Sequence, residues 1–63
     1  MEVKIEIWKE SGKWYTTDYI KVENIFEIDN FMHNWTLYKG MTATVHYYIE
    51  DQTYYQPYRM FQL

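Results

Sequence analysis

The sequence predicts an α+β domain in ββαββ order, a four-stranded, mainly antiparallel sheet with one helix packed on one face. Three observations predict it. Val3, Ile5 and Ile7 alternate with Glu2, Lys4 and Glu6, which is the two-residue period of a half-buried strand. Residues 41–50 alternate in the same way, with Met41, Ala43, Val45, Tyr47 and Ile49 on one face and Thr42, Thr44, His46, Tyr48 and Glu50 on the other. Between these segments, Ile25, Ile28, Met32 and Trp35 recur at helical spacing, with Phe31 and Tyr38 widening the stripe.

Each element has its own local signals. After the first strand, Ser11-Gly12-Lys13 forms a tight turn in which Gly12 supplies the positive φ. The second strand is expected from about Trp14 to Val22, and its untidy alternation at Thr16, Thr17 and Asp18 suggests an edge strand or a bulge. Asn24 and Glu27 form a capping box for the helix, and Lys39-Gly40 supplies its stop signal. A rival reading extends the second strand to Ile28 and starts the helix at Asp29. Asp51-Gln52-Thr53 turns the chain into a fourth strand from about Tyr54 to Gln62, where Pro57 removes a ladder donor and points to an edge or a bulge. Either strands one and four or strands one and three can lie at the centre of the sheet. Pro57 and the untidy second strand favour the latter.

Residues 1–63 make one domain. A chain this short buries only roughly 60% of the surface it exposes when unfolded, so its core needs reinforcement. Cysteine is absent, which excludes disulfides. The reinforcement left is three Trp, eight Tyr and three Phe, or a partner. Trp35, Phe26 or Phe31, Tyr47 and one of Trp8 or Trp14 have apolar-side positions and are expected in the core. Fourteen rings are more than one helix can cover, so Tyr15, Tyr19, Tyr48, Tyr54, Tyr55 and Tyr58 are candidates for the open face or the sheet edges, where tyrosines serve as interface anchors.

Net charge is −3, with residues 1–22 balanced and the excess carried by Glu23, Glu27, Asp29, Glu50 and Asp51. That pattern is a poor match to a phosphate backbone, which is held by Lys and Arg. His46, Tyr48 and Glu50 share a flat strand face without a pocket, and His33 follows Asp29 by one helical turn, so neither set makes a catalytic or metal constellation. No nucleophile motif or glycine-rich phosphate cradle is present. The sequence therefore implies a non-enzymatic interaction module that uses no cofactor. Its aromatic sheet face would anchor another protein, with the five acids steering a basic, nucleic-acid-processing partner, as small acidic phage or mobile-element inhibitors do. Two alternatives follow from the same rings: single-stranded nucleic-acid binding by stacking, and a homo-oligomer that sequesters a small planar ligand. A homodimer would cover surplus rings. With no signal peptide and no apolar run of membrane length, a cytoplasmic location without membrane contact is expected.

Overall fold

A computed structural model describes all 63 residues. The elements are β1 (Glu2–Trp8), β2 (Trp14–Lys21), α1 (Phe26–Asn34), β3 (Thr42–Tyr48) and β4 (Tyr55–Gln62). The sheet is antiparallel throughout in the order β2-β1-β3-β4. The two most regular alternating segments thus lie at the centre, and the strands with local irregularities take the edges.

Both edge strands are bulged, although Thr16, Thr17 and Asp18 themselves pair in regular register with Ile7, Glu6 and Ile5. The β1–β2 register slips between Ile7 and Trp8, which pair with Thr16 and Trp14 and leave Tyr15 as the extra residue. The β3–β4 register slips between Val45 and His46, which pair with Arg59 and Pro57 and leave Tyr58 extra. Met41 and Leu63 are joined by a backbone hydrogen bond, and antiparallel alternation from that pair turns the backbone nitrogen of Pro57 outward, where no ladder donor is needed. Gly12 (φ 87°) turns the first hairpin, and its amide donates to the carbonyl of Lys9.

The core is thin and aliphatic. Val3, Ile5 and Ile7 from β1, Ala43 and Val45 from β3, and Ile28 and Met32 from α1 are the buried residues. Each fully buried aliphatic side chain contributes roughly 1.5–3 kcal/mol. None of the 14 aromatic rings is among them. Phe31, Trp35, Tyr38, Tyr47, Tyr58 and Phe61 pack around this core half-buried. Trp8 and Trp14 differ from expectation. Both share a face with Glu2, Lys4 and Glu6, opposite the helix, because Trp8 keeps the parity of those residues and pairs with Trp14. Phe26 is 80% exposed, so Phe31 supplies the phenyl ring beside the core.

The helix starts at Phe26, one residue later than a cap at Asn24 implies and ahead of Asp29, so the rival strand reading fails. Ile25 flanks the helix without a side-chain acceptor, and Asn24 substitutes by accepting from the Phe26 amide at 3.0 Å. Glu27 reaches back to the amides of Glu23 (2.7 Å) and Asn24 (2.9 Å). The helix is shorter than its apolar stripe implies. It stops at Asn34, and Trp35 is extended (ψ 122°). Asn34 turns its side-chain amide onto the Asn30 carbonyl at 2.9 Å, a local bond that competes with helix propagation. Trp35 then stacks between Phe31 (5.2 Å) and Tyr38 (5.4 Å). Tyr38 (φ 58°) and Gly40 (φ 90°) turn the chain into β3.

Candidate functional site: an open sheet face and a charged end

The alternation of β1 that buries Val3, Ile5 and Ile7 under α1 sends Glu2, Lys4, Glu6 and Trp8 to the uncovered face. The register extends this face in rows across the four strands. Lys21, Glu2, Tyr48 and Tyr55 form the first row, and Tyr19, Lys4, His46 and Pro57 the second. Thr17, Glu6, Thr44 and Met60 form the third, and Trp14, Trp8, Thr42 and Gln62 the fourth. Rings therefore dominate the first and fourth rows, while in the middle two Tyr19 and Met60 stand at the edges of a polar centre of Lys4, Glu6, Thr44 and His46.

The half-buried rings of this face are held in place. Trp8 donates its indole N–H to Thr44 Oγ1 at 2.8 Å. Tyr55 donates its hydroxyl to Glu2, stacks tilted against Tyr48 at 5.4 Å, and lies 4.6 Å from the Lys4 ammonium. Trp14, Tyr19 and Met60 remain 54%, 59% and 65% exposed. Fixed neighbours beside protruding apolar side chains make a pre-ordered surface of mixed polarity, which lowers the entropic cost of docking.

The six candidate tyrosines are divided by the fold. Tyr19, Tyr48 and Tyr55 lie on the open face, and Tyr54 precedes β4 at its margin, 58% exposed. The other two leave that face. Tyr15, the β2 bulge residue, meets Tyr38 edge-on at 5.8 Å on the helix side. Tyr58, the β4 bulge residue, meets Tyr47 at 6.3 Å and donates its hydroxyl to Asp29 on α1 at 2.9 Å. The bulge lets consecutive residues share one target, because Arg59 Nη1 also reaches Asp29, at 3.3 Å.

The five candidate acids are similarly divided. Glu23 and Glu27 lie at the start of α1, Glu50 and Asp51 in the turn after β3, all beyond the same end of the sheet. Glu2, which the sequence reading passed over, joins them. Asp29 lies elsewhere and is engaged by Tyr58 and Arg59. Lys9, Lys13 and Lys39 lie beyond the opposite end, at the first hairpin turn and the Gly40–Leu63 backbone bond, where Glu10 and the Leu63 carboxylate offset them in part. The molecule therefore carries an acidic end, partly offset by Lys21 and the N-terminal ammonium, and a weakly basic end, separated along the strands. Trp14 and Met60 are the other members of the face that sequence reasoning missed. Strand parity was the available signal for Trp14, because it pairs with Trp8.

Three phenols bond carboxylates: Tyr38 to Asp18 (3.0 Å), Tyr58 to Asp29, and Tyr55 to Glu2. In each case the hydrogen bond to an anion, reinforced by desolvation, holds the phenol in its neutral form and raises its pKa, to about 12 for Tyr55. His46 lies between strands with Nδ1 3.7 Å from Glu6 Oε1 and without a hydrogen-bond partner. His33 is exposed at the end of α1. No group of three or more His, Asp or Glu side chains converges in metal-binding geometry, and no helix is long and apolar enough to cross a membrane.

No protein-family model, no curated protein and no solved structure matches this chain.

Proposed function

We propose that the domain is a non-catalytic protein-binding module whose open sheet face anchors a basic partner. The observation that supports this reading most is the placement of its rings. The core is filled by aliphatic side chains, while Trp14, Tyr19 and Met60 stand out from a face that no element covers. Exposed apolar groups on ordered neighbours are what interface anchors require. The acidic end adds the steering term: Glu2, Glu23, Glu27, Glu50 and Asp51 form a negative border along one margin of that face. A nucleic-acid-processing protein presents the complementary basic surface, and occupying its phosphate-binding site would make this module an inhibitor of the small acidic type. On the face itself Lys4 and Lys21 are matched by Glu2 and Glu6, so no positive strip is available to follow a nucleic-acid backbone.

The test is capture from a host lysate with the immobilised domain, followed by titration of the captured protein. Trp14→Ser should weaken binding at least roughly 30-fold, the equivalent of about 2 kcal/mol for an anchor ring. The Glu23→Lys, Glu50→Lys pair should slow association and flatten its salt dependence. Binding that is indifferent to both changes would remove the open face and the acidic end from the account. A captured partner displaced by single-stranded DNA or RNA would place this module on that partner's nucleic-acid site.

A further inference from the structure

The two edges of the sheet are not equivalent. On β4, Pro57 has no donor and the Tyr58 bulge interrupts the ladder, so this edge is closed to regular pairing. The β2 bulge falls near its start, at Tyr15, and residues 16–21 pair with β1 without interruption. Met1 and Val22 exchange backbone hydrogen bonds. Antiparallel alternation from that pair makes Val3–Ile20, Ile5–Asp18 and Ile7–Thr16 the bonded pairs. The N–H and C=O groups of Thr17, Tyr19 and Lys21 then point away from β1, forming an unpaired edge.

Two further features lie along this edge. A groove of about 490 Å³ runs between β2 and α1, with half-buried Ile20, Val22, Phe31 and Trp35 on its walls. A charge separation runs parallel to β2: Lys9, Lys13 and Lys39 outnumber Glu10 and the Leu63 carboxylate beyond its start, and Glu2, Glu23, Glu27, Glu50 and Asp51 outnumber Lys21 and the N-terminal ammonium at its end.

From these we infer that β2 is a dimerisation edge, on which a second copy of this chain adds its own β2 antiparallel to make one eight-stranded sheet. Charge complementarity selects this occupant and this direction. Antiparallel addition lays the acidic end of each copy beside the basic end of the other, whereas parallel addition opposes like ends. The two-fold axis passes between the Tyr19 residues, so Thr17 of each copy lies opposite Lys21 of the other. Both helices stay on one side of the joined sheet, and their two grooves meet across the seam. The open face doubles in width. This interface uses the strand edge and not the face assigned to the basic partner, so each can fail without the other.

Sedimentation equilibrium of the full chain over a wide concentration range tests the inference. The wild type should pass from 7.9 kDa to twice that mass as concentration rises, and the dimer should weaken as salt is added. Thr17→Lys sets like charges opposite each other at two symmetric positions while facing Glu6 within its own chain. It should raise the dissociation constant about tenfold or more. Adding Lys21→Glu to that variant restores opposite charges across the seam and should restore the dimer. Chemical synthesis with an N-methyl group on Tyr19 blocks the central outward donor without touching the β1 ladder, and should also give a monomer. Circular dichroism confirms that each variant is folded. A wild type that stays at 7.9 kDa throughout, or a dimer that survives both Thr17→Lys and N-methylation, would overturn it.

Discussion

Ile5→Ala should leave the chain largely unfolded at 37 °C. Ile5 is fully buried at the centre of β1, beside Val45 on β3 and Asp18 on β2. Truncating a buried Ile to Ala costs about 2–5 kcal/mol, from lost transfer energy and from the cavity left behind. A domain of this length has a total stability of only about 3–5 kcal/mol from its core, so one such change is of the same order as the whole. The cavity is poorly placed to collapse, because Val3 and Ile7 on the same strand and Val45 on β3 are held by ladders on both sides. Urea denaturation followed by far-ultraviolet circular dichroism should show a midpoint moved close to zero denaturant. A midpoint shifted only slightly would mean that stability resides in the peripheral aromatic clusters and not in the seven-residue core.

The second large effect is expected in alkali. Tyr38, Tyr55 and Tyr58 donate to Asp18, Glu2 and Asp29, and ionising any of these phenols would set an oxyanion against a carboxylate. Their folded pKa values are raised above the ordinary tyrosine value near 10, with Tyr55 at about 12. The sign follows from linkage. A group that binds its proton more tightly when folded contributes stability that is fully present below pH 10. That contribution is lost as pH rises from 10 toward 12. Titration of tyrosinate absorbance near 295 nm should end in a late step close to pH 12. Tyr55→Phe should delete that step. The three bonds join β4 to β1, β4 to α1, and the segment after α1 to β2, so their loss should also bring unfolding forward in alkali. A titration complete by pH 10.5, in a chain that is still folded, would contradict the pairing.

Much of the fold can be read from the sequence where a single local rule decides. The parity of Val3, Ile5 and Ile7, the parity of Ala43 and Val45, the Asn24–Glu27 cap and the donor missing at Pro57 each specify an element or its place in the sheet. The end of α1 depends on a competition the apolar stripe cannot show. Trp35 and Tyr38 keep helical spacing, yet they pack better as an aromatic cluster after the chain has left the helix. Hydrophobicity predicts one of Trp8 or Trp14 in the core, whereas the parity of β1 places Trp8 on the face of Glu6, and pairing places Trp14 beside it. A core with Ala43 and Val45 at its centre has little depth for an indole. The candidate site was legible as a class of surface but not as a set of residues. Which tyrosines bend back toward α1 is decided by bulges at Tyr15 and Tyr58, and the phenol–carboxylate bonds join residues 20, 29 and 53 positions apart. The acidic end emerges only when the register brings Glu2, Glu23 and the Glu50–Asp51 turn to one margin.

This chain builds its interior from aliphatic residues and leaves its rings half-buried or exposed around it. Photochemically induced nuclear polarisation with a flavin dye reads this directly, since only tyrosine, tryptophan and histidine rings that the dye can touch are enhanced. The native protein should show strong enhancement of Trp14, Tyr15, Tyr19 and Tyr54, which are 47–59% exposed, and weaker signals from the half-buried rings. A native spectrum with those four resonances dark at high dilution, where no second copy can cover them, would contradict this division of interior and surface.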